Sequence, residues 1–159
     1  MLDDSFARPD DEVTRRLAAL EADLRKRLDG LATVERQAVP DCGMSTVSVT
    51  PANPSSLAVY WMESAGDLSV NAGTYGGWWE LDRTVADAEL LEGIVRGVVA
   101  GQVVETSAFA RSQVAITLPD GQVRRGTGYH GCICLVTPLP GWRRWGRRVV
   151  YEPYGPRQP

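Results

Sequence analysis

The chain is poor in the side chains that catalysis and metal binding usually draw on. It has one histidine, His130, and three cysteines, Cys42, Cys132 and Cys134, in 159 residues. An odd, unevenly spaced cysteine set argues against the disulfide framework of a small secreted protein. With a single histidine, every Ser–His or Cys–His catalytic arrangement would have to pass through His130. The sequence contains no Gly-x-Ser-x-Gly elbow. No apolar run reaches the ~18 residues of a membrane span, so no membrane partner is expected. No basic segment followed by an apolar run opens the sequence, so no signal peptide is expected either. These absences point to a reducing cytoplasm and to a protein without a cofactor.

Lysine is nearly missing too: Lys26 is the only one, and arginine supplies the remaining positive charge. The formal net charge is −3 and the pI about 5.2, but the charge is unevenly spread. Residues 1–100 hold 9 basic and 17 acidic side chains, whereas residues 101–159 hold 8 basic and 3 acidic. Hydrophobic residues make up 43% and charged residues 23%, the balance of an ordinary globular domain that can bury its own core.

Two helices are predicted. Over 10–31, Val13, Leu17, Leu20, Leu24, Leu28 and Leu31 recur at spacings of three and four, with charged residues on the other faces. This stripe either docks on the domain or serves as a homodimer seam. The second helix begins at Thr84, an N-cap with Asp87 in the capping-box position, and runs to about Gln102. Its Gly93, Gly97 and Gly101 each cost helix propensity, which close approach of a neighbour would offset. Alternating segments predict strands at 45–50, 57–63, 67–73, 76–81, 103–108, 113–118, 122–128, 132–137 and 147–152. Asp120-Gly121 predicts a two-residue type I′ hairpin. The expected organisation is a disordered 1–9, a helix over 10–31, an α+β domain over 40–152 and a loose 153–159. The expected fold class is α+β: a mainly antiparallel sheet with one buried helix on a face and an N-terminal amphipathic helix.

Three segments bear on chemistry. On a strand, His130, Cys132 and Cys134 would project to one side, and Cys42 would complete a Cys3His set of the kind zinc prefers. Ligands on one extended strand diverge, however, and Cys-Ile-Cys-Leu-Val reads better as a core strand, so no metal is expected. Glu63, Asp67, Glu80 and Asp82 lie on or beside strands and could form an acid–base pair. A small hydrolase centred there or near His130 is therefore an alternative reading. GTYGGWW (73–79) lacks the Gly-Lys-Ser/Thr end of a phosphate loop and precedes a strand, so it reads as a turn.

The stronger signals concern contact. Trp78 and Trp79 are adjacent on a strand, so one faces the core and the other faces away. GWRRWGRR (141–148) interleaves Trp142 and Trp145 with Arg143, Arg144, Arg147 and Arg148, residue types enriched at binding hot spots. These eight side chains are the expected partner-binding residues. A protein partner is expected first. Nucleic acid, held through 141–148, is an alternative at odds with the acidic pI.

With GGWWEL, the glycine-bearing helix, VAITLPDG and GWRRWGRRVVYEPYG in view, roughly residues 45–155 resemble small uncharacterised proteins of GC-rich bacteria. The chain is similar in general style to the immunity proteins of bacterial polymorphic toxin systems. That resemblance implies a small, acidic, non-catalytic α+β domain that caps a toxin partner. It carries no signature residues across.

Overall fold

The computed structural model describes residues 9–39, 43–130 and 140–156. Helix α1 spans Glu12–Arg27 and is capped by Asp11, whose carboxylate accepts the Thr14 N–H at 2.7 Å. Arg25, Lys26 and Arg27 in the last turn suit the partial negative charge there, and Gly30 (φ +73°) reverses the chain beyond Leu28. The predicted apolar stripe is real and occupied. Val13, Leu17, Leu20, Leu24 and Leu28 are all buried in the single hydrophobic core. The helix docks, and the side chains that would form a homodimer seam are inside the domain.

Asp11 also receives two bonds from Arg83, which reaches Thr14 Oγ1 and the Ser64 carbonyl as well. The Thr14 amide, with help from Arg83 and against a desolvation penalty, lowers the Asp11 pKa from 3.8 to about 2. Its stabilising contribution is therefore complete above pH 4 and lost as the pH falls toward 2. The side chain is 40% exposed, so solvent screening keeps the gain modest. Asp11→Ala should cost about 1 kcal/mol in urea denaturation near neutrality. The gap from wild type should close between pH 4 and 2.

The described residues then form nine strands in two antiparallel sheets. The first has the order β1-β2-β3-β4-β5. Its strands are β1 (Ala32–Val39), β2 (Met44–Pro51), β3 (Val59–Glu63), β4 (Asp67–Asn71) and β5 (Trp78–Asp82). The second has the order β8-β7-β6-β9, from β6 (Val103–Ala108), β7 (Arg111–Thr117), β8 (Val123–Tyr129) and β9 (Arg147–Val150). Between them lies helix α2 (Val85–Val99), and a short helix α3 (Trp142–Trp145) precedes β9. The α+β class is as expected, with two sheets in place of one. Among the described residues no helix is long and apolar enough to cross a membrane. The predicted 132–137 strand lies outside the described residues.

Three local expectations need correction. Residues 32–39, left between the helix and a domain starting at 40, form β1 and pair with β2 along its whole length. Its inward side carries Arg36, which disguises the alternation. The Asp120-Gly121 hairpin forms, but only Gly121 has positive φ, and Gly121 N–H bonds to the Leu118 carbonyl at 2.9 Å. Pro119 fixes a negative φ and suits the second position of a type I turn, so the loop is a three-residue one closed by a left-handed glycine. The tail is not loose throughout. Tyr154 is buried in the core, and its hydroxyl donates to the Leu57 carbonyl at 2.6 Å.

α2 packs between the sheets, touching β4 and β7, and α1 lies against α2 and β1. Thr84 caps α2 as expected, accepting the Asp87 N–H at 3.1 Å. Close approach explains two of the three glycines, Gly97 inside the helix and Gly101 just past it, where the backbone of Glu152 and Pro153 occupies the place of a Cβ. A Cβ on Gly97 would sit 2.7 Å from both Ile116 Cγ2 and the Thr117 carbonyl oxygen. Gly93 has ordinary clearance, and Gly101 lies beyond the helix at φ +69°. Ion pairs lace the two helices together: Arg16 with Glu89 and Glu92, and Asp23 with Arg96, which also pairs with Glu92 on its own helix.

The β4–β5 turn, 72–77, lies on the inner side of the second sheet. Glu105, 1% exposed, accepts the Thr74 N–H at 2.9 Å and the Tyr151 hydroxyl at 2.7 Å. Ser112 Oγ accepts the Tyr75 and Gly76 amides. Burial and the adjacent Glu105 carboxylate push the Tyr151 hydroxyl pKa up from 10.0. Gly126 and Gly128 supply the room: a Cβ on either would collide with Gly77 or with the Tyr75 carbonyl. The glycine-rich segment is thus a structural insertion that joins the two sheets along the β5–β8 border.

Candidate partner-binding surfaces

Strand alternation sorts the side chains of the first sheet. Val47, Val49, Val59, Trp61, Leu68 and Val70 point inward and are buried. So does Glu63, 2% exposed, which accepts Arg36 NH2 and Trp61 Nε1, both at 3.0 Å. Arg36 is bound in turn by Glu21 of α1 at 2.7 Å. Burial works against the guanidinium charge, and Glu21 and Glu63 outweigh it, so the Arg36 pKa is raised. Glu63 is therefore part of a buried structural ion network, apart from the other three strand-end carboxylates.

Among the described residues no helix or strand covers the opposite face of this sheet. The register places Glu35, Ser48, Tyr60, Asn71 and Trp78 in one row across all five strands. Thr46, Met62, Ser69 and Glu80 form the next row, and Asp67 lies opposite Asp82. Trp78 is 41% exposed and meets Tyr60 edge-on at 6.4 Å. A groove of about 600 Å³ runs here, with Met44, Met62 and Trp78 as apolar lining and Asp67, Glu80, Asp82 and Asp87 as acidic lining. The outward positions of the five strands carry four carboxylates and no arginine or lysine. Among the described residues no cation pairs with Glu35, Asp67, Glu80, Asp82 or Asp87. Trp79, as alternation requires, turns inward and packs on the core.

The second sheet is the converse. Its outward positions read Arg148–Thr106–Gln113–Thr127 in one row and Val150–Val104–Ala115–Arg125 in the next. Toward the β6–β7 hairpin, Arg111 lies between the Tyr129 ring (5.6 Å) and the Trp142 ring (5.8 Å). Arg143 lies over the same Trp142 ring at 5.6 Å. No outward strand position of this sheet holds a carboxylate.

The structure separates the predicted 141–148 residues. Trp142 is buried under α3, while Trp145 is 57% exposed. Arg143, Arg144, Arg147 and Arg148 are all exposed, and no described carboxylate lies in ion-pair range of them. Sequence reasoning missed Tyr60, Met44, Tyr129, Arg111 and Arg125. Only the register across strands brings them beside the predicted residues.

His130 is exposed and stacks on Tyr75 at 5.0 Å, with its backbone N–H bound to the Ala110 carbonyl. Cys42, Cys132 and Cys134 lie outside the described residues. Among the described residues no group of three or more His, Cys, Asp or Glu side chains is placed to hold a metal ion. No described carboxylate is hydrogen-bonded to His130. What the described surface offers is two sheet faces of opposite charge, the second covered in part by α3 where Arg111 and Trp142 are buried.

No family model, curated protein or solved structure matches the chain.

Proposed function

We propose that this is a non-catalytic protein-binding domain that occludes a cationic partner, in the manner of an immunity protein capping a toxin. The observation that supports it is the outer face of the first sheet. An aromatic and thioether floor bordered by unpaired carboxylates is the chemistry of a protein interface: apolar anchors give affinity, and the charged border steers and selects. A partner rich in arginine or lysine would neutralise Glu35, Asp67, Glu80, Asp82 and Asp87 while covering Trp78. Because the face is a sheet rather than a loop, little ordering is needed on binding, which lowers its cost.

The test is protection and binding together. Co-expression with a basic toxin domain encoded beside its gene should restore growth. In calorimetry a nine-residue arginine peptide should bind and be displaced by salt. Glu80→Lys with Asp82→Lys should weaken that binding by about tenfold or more and abolish protection. Trp78→Ala should weaken it by a similar factor. Asp10→Lys with Asp29→Lys, on exposed positions away from the face, should do neither. Equal losses from both charge pairs would reduce the effect to net charge and overturn the reading.

A further inference from the structure

We infer that the outer face of the second sheet is a binding platform for single-stranded nucleic acid. This surface is separate from the acidic face of the first sheet.

Four arginines on and beside this face have no described counter-charge. Arg125 on β8 and Arg148 on β9 stand at opposite edges of the sheet and are exposed, and Arg143 and Arg144 extend the positive region from α3. None of the four has a described carboxylate in ion-pair range. The sequence 131–139, which joins β8 to α3, contains no charged residue and so supplies no neutralising group. The acidic residues that set the low pI are gathered in the first hundred residues, so the acidic total does not describe this face.

Charge alone would suit any polyanion. The aromatic and hydroxyl side chains narrow the choice. Tyr129 is 59% exposed, Trp145 57% and Phe109 65%, all near the β6–β7 hairpin end of the sheet. Arg111, stacked between Tyr129 and Trp142, fixes the Tyr129 ring from below. Between the arginines run Thr106, Gln113 and Thr127, donors and acceptors suited to sugars and base edges. Gln113 Nε2 and Thr127 Oγ1 already bond at 3.1 Å, which orients both. Successive rows are about 6.8 Å apart, two residues along a strand. Bases stacked on aromatic rings and phosphates held by arginine are the usual means of single-strand binding without sequence preference. An acidic peptide would use the arginines but gain little from the exposed rings.

The experiment is fluorescence anisotropy of the full chain with labelled twelve-residue oligo-U and oligo-dT, with an unlabelled polyglutamate peptide as competitor. Both oligonucleotides should bind. Three or four phosphate contacts predict a roughly twenty- to fifty-fold loss of affinity between 50 and 200 mM salt. Arg125→Glu with Arg148→Glu should lower affinity more than tenfold, and Tyr129→Ala at least fivefold, at unchanged circular dichroism. Arg15→Glu on α1 should change nothing. No binding at 50 mM salt would overturn the proposal. So would loss with Arg15→Glu equal to that at Arg125 and Arg148, or polyglutamate competing as well as an oligonucleotide. Glu80→Lys with Asp82→Lys should leave oligonucleotide binding intact, so failure here is distinct from failure of the protein-binding reading.

Discussion

Arg36→Met should cost about 3–5 kcal/mol, because it removes the cation that is ion-paired with the buried Glu63 carboxylate. Glu63 is 2% exposed and loses the guanidinium bond at 3.0 Å while the Trp61 indole N–H stays in place. Glu21 suffers less, since it also binds Arg25 at 2.7 Å near the surface. Against a total stability of roughly 5–15 kcal/mol, the loss should lower the urea midpoint by more than about 1 M. Adding Glu63→Gln should recover most of it. The amide carbonyl still accepts from the Trp61 indole, and no net charge remains buried. A nearly neutral Arg36→Met would show that the Arg36–Glu63 ion pair is not what holds the carboxylate in the core.

The second large effect lies at Gly128. A Cβ there would run into the Tyr75 carbonyl oxygen, which belongs to backbone and cannot step aside alone. To admit Ala, the 72–77 turn must lift off β8. Ser112 would then lose the amides of Tyr75 and Gly76 while remaining buried. We expect Gly128→Ala to cost about 3 kcal/mol or more, from overpacking together with the abandoned acceptor. Hydrogen exchange should show the amides of 74–76 losing protection. Gly66→Ala provides the contrast: nothing lies within 4 Å of the added methyl and its φ is not positive, so its effect should stay within about 0.5 kcal/mol.

Both effects involve features the sequence conceals. Helical periodicity made α1 and α2 legible almost to their caps, because their buried stripes are uniformly apolar. Strand alternation likewise required Trp78 and Trp79 to face opposite ways, and the structure assigns Trp78 to the outside and Trp79 to the core. It failed at β1, where a charged residue faces the interior and is satisfied by Glu21 and Glu63, residues distant in the chain. It failed at Tyr154, because one aromatic among Pro and Gly gives no pattern, although its ring fills the core. The role of 72–77 was hidden for a similar reason: its partners Glu105, Ser112, Gly126 and Gly128 come from three later strands. The candidate surfaces were half legible. The division of charge between the two parts of the chain was plain, and so were the tryptophans. That this division becomes a division between two sheet faces depends on the register, which sets Tyr60 beside Trp78 and Arg148 in line with Thr127. The 141–148 segment was read as one surface, yet a four-residue helical turn buries Trp142 and leaves Trp145 outside.

Two outer faces of opposite sign on one core give the molecule a permanent electrical axis. A charged body at a distance feels this axis before it feels any single side chain, and exerts a torque on it. A basic visitor turns the first sheet toward itself; a phosphate-bearing one turns the second. Orientation is thus settled during approach rather than by trial collisions. Raising the ionic strength shortens the range over which that alignment acts to a few ångströms, slowing encounters with visitors of either sign.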